Sequence, residues 1–234
     1  AFIAFKSIAQ RDRMEDADLP WVNKALDQLR AYVAEEENPI IKAESYRSLL
    51  KNFQGVVDVS KDENEYDGLV KSKVYISAQN REIALFQEEE KIKSAYFQAF
   101  GSRDTSWWQK EMNRFLDTTS FSNDIAKISM IRRVQGALSL TIYMSLTRAI
   151  SALENSQQMY FSALYRYTDP DNTEAWYLSS VVAANMGNLA DAKYFLSTAF
   201  KKGFKDVDRC KKEASFASIV SDYGFQSIIN QTPL

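Results

Sequence analysis

Residues 139–172, SLTIYMSLTRAISALENSQQMYFSALYRYTDPDN, and residues 173–206, TEAWYLSSVVAANMGNLADAKYFLSTAFKKGFKD, are one helical unit written twice at an offset of 34. Tyr143, Ser145, Ala149, Tyr160 and Phe161 return unchanged as Tyr177, Ser179, Ala183, Tyr194 and Phe195, while Trp176 answers Ile142 and Leu178 answers Met144. A fixed period of this length, with two helices in each period, predicts hairpins that bury their apolar faces only by stacking on one another. The predicted fold class is all-α, with antiparallel helical hairpins stacked as a solenoid.

In the second unit Trp176, Gly187, Ala192 and Ala199 stand where a tetratricopeptide repeat carries its aromatic, its turn glycine and its two small helix-packing residues, and Pro170 stands where the preceding repeat closes. On these residues the stretch 139–206 resembles the tetratricopeptide-repeat family. It departs from the pattern at Ser179-Ser180, at Ala183, and at Gln158 and Tyr165, which replace the small residues of the first unit. Residues 207–234 resemble the segment that closes such arrays in bacterial proteins. A last hairpin has no successor to cover it, so Phe204, Phe216, Phe225 and Ile228 are expected to form a cap.

Carrying the period backwards places Trp108 in register with Ile142 and Trp176, with Ser106 to Gln109 opening a helix and a second helix running from Ser122 to Arg133. The expected array is therefore three hairpins, 105–138, 139–172 and 173–206. Upstream, residues 1–104 are expected to form helical hairpins continuous with it. Val22, Leu26, Leu29 and Val33 fall at three- and four-residue steps, and Pro39 opens a helix carrying Ile40, Ala43, Tyr46, Leu50 and Phe53. Residues 55–68 are the least regular stretch. From Leu69 to Phe100 there is neither Gly nor Pro, and Val70, Val74, Ile83, Phe86, Ile92, Tyr96 and Phe100 form a stripe that suits one long helix or two. Phe2, Ile3, Phe5 and Ile8 are spaced as one apolar helical face.

Composition agrees with a helical chain. Seven Gly and four Pro in 234 residues are too few for a fold built on many tight turns. A formal charge of −2 gives no electrostatic footprint for nucleic acid. No apolar run is long enough to cross a bilayer, and Ala1-Phe2-Ile3-Ala4-Phe5 is too short for a signal peptide. The absence of histidine removes the commonest general base and metal ligand together. Cys210 has no histidine partner, no glycine-rich phosphate loop exists, and the acidic stretch around Asp62 lacks the closing glutamate of a calcium loop. No catalytic residue, cofactor or metal is predicted, with carboxylate-only hydrolysis kept as a minor alternative.

The function expected is that of a non-catalytic scaffold binding a peptide or partner protein. In the tetratricopeptide family the first helix of each repeat lines a concave face, and the resemblance places Tyr143, Thr147, Tyr177, Val181 and Asn185 on it, with an apolar to neutral character. The same resemblance implies an exported bacterial protein of the periplasm or cell surface, while the single cysteine leaves the compartment open. A glycan or small-ligand protein is the alternative, and for it the adjacent Trp107 and Trp108 are the aromatic candidates. Neighbours on one helix cannot share a face, so the register that buries Trp108 exposes Trp107.

Overall fold

The computed structural model describes residues 19–101 and 104–230, and the apolar face expected at Phe2, Ile3, Phe5 and Ile8 lies outside them. Among the described residues there are eleven α-helices, two short 3-10 turns and no strand. No described helix is long and apolar enough to cross a membrane. The chain divides into two compact units, 1–86 and 87–234.

In the first unit, helices α1 (Leu19–Glu35) and α2 (Pro39–Phe53) form the expected hairpin. The Asn38 side chain ends the polar turn by accepting from the Ile40 and Ile41 amides, at 3.0 and 3.4 Å. Val22, Leu26, Leu49, Phe53 and Val59 make a small core. The stretch expected to be irregular contains α3 (Ser60–Val70). Its Asp62, buried at 3 % exposure, receives the Arg30 guanidinium, with Nη2 2.5 Å from the carboxylate. This long-range pair stabilises a helix whose own residues are poor helix formers. Helix α4 (Lys73–Ala99) then runs without a break. Val74, Ile83 and Phe86 of its expected stripe are exposed, and Tyr96 is buried.

The second unit holds the larger core. Helix α5 (Thr105–Leu116) starts at Asp104, whose carboxylate accepts from the Ser106 and Trp107 amides, so the cap lies two residues before the expected one. Helix α6 (Ile125–Ser151) corrects the expected repeat boundary at 138/139, because it is one helix of 27 residues through that point. Met130, Val134, Leu138, Ile142 and Leu146 form an uninterrupted buried row at four-residue steps, and nothing between Val134 and Leu138 except Gly136 weakens the helix. The expected three separate hairpins over 105–206 are therefore replaced by α5, the long α6, and then α7 (Asn155–Thr168), α8 (Thr173–Asn185) and α9 (Leu189–Lys201). Helix α5 packs on α7, α6 on α7, α7 on α8 and α8 on α9.

The 34-residue offset survives in the turns. The backbone is left-handed at Leu153 (φ 55°) and at Gly187 (φ 72°). Each turn closes with the same six-residue hydrogen bond, Glu154 N to Ala149 O at 3.0 Å and Asn188 N to Ala183 O at 2.9 Å. Beyond α9, helices α10 (Val207–Lys212) and α11 (Tyr223–Asn230) flank a 3-10 turn at Ala214–Phe216. Phe204, Cys210, Phe216, Ile219, Phe225 and Ile229 all join the core, the turn against α8 and α11 against α9. Ile229 is buried where Ile228 was expected, and Ile228 packs at the margin.

Candidate functional site

The five residues expected on a concave face are not brought together as a surface. Tyr177 is fully buried, and Val181 is 3 % exposed. The Tyr177 ring lies flat on Phe204, with centroids 4.7 Å apart and planes 8° apart, and meets the edge of Phe216 at 6.2 Å. The Arg209 guanidinium carbon stands 4.1 Å above the same ring while its nitrogens hold Glu174 in a two-point ion pair, at 2.8 and 2.6 Å. Burial pushes the Tyr177 phenol well above its ordinary range. Phe204, Arg209 and Phe216, the groups that cover the Tyr177 ring, all come from positions 204 to 216, so the chain's own closing segment packs where the resemblance placed a ligand. Tyr143 and Thr147 stay half-buried on α6, where the Thr147 hydroxyl donates back to the Tyr143 carbonyl at 3.0 Å. Asn185 is exposed at the end of α8.

Trp176 is likewise not the counterpart of Ile142. Ile142 is buried in the middle of α6, whereas Trp176 is half-buried in the first turn of α8 and donates its indole N–H to the Pro170 carbonyl at 2.7 Å. An indole tied to the preceding loop is held at the rim, and the next residue, Tyr177, takes the core position.

Trp107 and Trp108 divide as their spacing requires. Trp108 is fully buried between Tyr96 and Phe100, with ring centroids 5.3 and 5.4 Å away, and its N–H donates to the Tyr160 hydroxyl at 3.3 Å. Trp107 is 39 % exposed and lines a hollow of about 370 Å³. The walls come from three helices and a turn: Ile92 and Tyr96 of α4, Trp107 and Phe115 of α5, Phe121 of the 3-10 turn at Thr119–Phe121, and Met130 of α6. Tyr96 organises the floor, with Trp107 at 6.1 Å and Phe115 edge-on at 5.5 Å. Its phenol is pushed up to about 12, chiefly by burial and then by the Glu111 carboxylate.

Four charged side chains line this groove, Glu88, Glu111, Arg114 and Lys127. Glu111 pairs with Arg114 at 2.8 Å, and the Lys127 ammonium sits 4.7 Å from the centre of the Phe121 ring. An apolar body can therefore enter between the aromatic walls, with Glu88 and Lys127 at the edge. The sequence identified Trp107 as the exposed partner of the pair. It did not reveal that Ile92, Tyr96 and Met130, far away in the chain, would complete the walls.

Cys210 is buried, and its thiol is pushed up to about 12, mainly by that burial and then by Asp206, which is opposite to what a thiolate nucleophile needs. Among the described residues no group of three or more His, Cys, Asp or Glu side chains is placed to hold a metal ion. No family model, no curated protein and no solved structure matches this chain, so its function has to be read from its own residues and geometry.

Proposed function

We propose that this chain is a non-catalytic helical binding module, and that a peptide or partner protein inserts an apolar side chain into the groove beside Trp107. One observation carries the reading: an aromatic-walled hollow of about 370 Å³ lies open at an indole that is 39 % exposed. That volume falls at the small end of ligand sites and suits one or two apolar side chains. Tryptophan and tyrosine also give large contact area at low entropic cost, which is why they dominate binding hot spots. The tetratricopeptide-like solenoid belongs to the same proposal, supported by the recurrence of the Leu153 turn at Gly187. A glycan reading draws support from the exposed Trp107, but the mainly apolar walls favour a peptide.

The test is a selection of displayed peptides on the whole protein, compared with an Ala95→Phe variant that fills the groove from an exposed position on α4. Peptides with a bulky apolar anchor should be enriched and should lose roughly tenfold or more in affinity for the filled variant. Peptides that bind both proteins equally, or enrichment of oligosaccharides on a glycan array in their place, would overturn the proposal.

A further inference from the structure

Arg166 of α7 differs in its partners from the arginines that pair across the fold. Arg30 is matched to Asp62, Arg133 to Glu89 and Arg209 to Glu174. Arg166 is half-buried, and among the described residues no carboxylate forms an ion pair with it; Asp191 attracts it from a distance. Its guanidinium carbon instead stands 4.2 Å from the Phe195 ring centre and 5.9 Å from that of Trp176. Stacking on Phe195 occupies a flat face of the guanidinium, and among the described residues nothing accepts a hydrogen bond from its N–H edge, which has the planar fork of a two-point donor. Desolvation without a counter-charge is unfavourable and depresses the pKa of Arg166.

The surroundings add to the picture. Lys202 also approaches Trp176, 5.9 Å from its ring centre, and its ammonium is already held by Asp171 at 2.8 Å. Tyr194, 60 % exposed, continues the aromatic surface from Phe195, with centroids 5.5 Å apart. One free guanidinium edge with aromatic surface beside it matches a single negative charge carried by an apolar body.

We propose that Arg166, Trp176, Phe195 and Tyr194 form a second binding site, specific for a carboxylate attached to an aromatic or apolar group. The carboxylate accepts two N–H bonds from the Arg166 edge, and the attached ring lies along Tyr194 and Phe195. This site is independent of the groove at Trp107 and does not need a ligand there.

The experiment is NMR on the whole protein, following the Arg166 Nε–H and Trp176 indole resonances while sodium benzoate is added. Benzamide serves as the neutral isostere, and inorganic phosphate as the anion with no apolar body. The expected result is a saturable shift of both resonances with benzoate and no saturation with benzamide or phosphate. Arg166→Met should abolish the benzoate response, and Arg166→Lys, which keeps the charge without the planar fork, should weaken it roughly tenfold. Thermal melts show whether each variant is folded, and the comparison among the three titrants needs only the parent protein. Benzamide saturating as readily as benzoate, phosphate saturating in its place, or a linear drift with all three would overturn the assignment.

Discussion

Replacing Tyr177 by alanine removes a ring that is fully buried, stacked on Phe204 at 4.7 Å and capped by Arg209 at 4.1 Å. Truncating a buried aromatic costs about 3–5 kcal/mol from lost transfer energy and residual cavity. The close parallel stack and the cation above the ring place Tyr177→Ala toward the upper end of that range. Arg209 keeps Glu174, so no charge is orphaned and the loss is one of packing. Tyr177→Phe keeps the stack and removes only a long hydroxyl contact to Glu213 at 3.4 Å, which is worth less than about 1 kcal/mol. Tyr143→Ala, one period upstream, removes a half-buried ring whose aromatic neighbour Tyr165 is 6.1 Å away, at a cost of about 1–2 kcal/mol. Urea denaturation of the three variants measures these differences. Equal losses for Tyr143→Ala and Tyr177→Ala, or a Tyr177→Ala midpoint close to the parent's, would refute the conclusion that the closing segment buries this face.

Two further outcomes follow from local geometry. Leu153 is 75 % exposed and held at φ 55°, so Leu153→Gly should raise stability by about 0.5–1 kcal/mol by relieving a left-handed backbone, and a lowered denaturation midpoint would contradict this. The Cys210 thiol has an ordinary value of 9.0 and is pushed up to about 12 by folding, so its contribution is fully present below pH 9 and is lost as pH rises towards 12. Cys210→Ala should flatten the fall in stability between those limits, and an unchanged pH profile would show that the thiol is not the titrating group.

The helices were largely legible because local chemistry specifies them. Asn38, Asn172 and Asn188 cap where the pattern places a start, and Pro39 opens α2. The left-handed turns at Leu153 and Gly187 lie 34 residues apart, the same spacing as the sequence repeat. It misplaced a boundary at 138/139 because periodicity marks recurrence, whereas only a stop signal ends a helix, and Val134 to Leu138 contains none stronger than Gly136. Tyr177 and Val181 were assigned to a ligand face by family register. A local signal argued otherwise: from Ala175 to Asn185 α8 carries no charged residue, the mark of a helix enclosed on all sides. The groove was half legible. The pairing of Trp107 with Trp108 pointed to one exposed indole, but its walls depend on how α4, α5 and α6 are spaced, which no short stretch encodes.

The most direct test of the account is an NMR titration of the whole protein with an apolar-anchored peptide from the displayed selection, read at the four indole N–H groups and at the amides of α4 to α8. Shifts should concentrate on Trp107 and on the amides around Ile92, Ala95, Phe115 and Phe121, and they should vanish in Ala95→Phe. Shifts centred on Tyr143, Thr147 and Asn185, with Trp107 unmoved, would contradict the groove and return the binding face to the repeat helices.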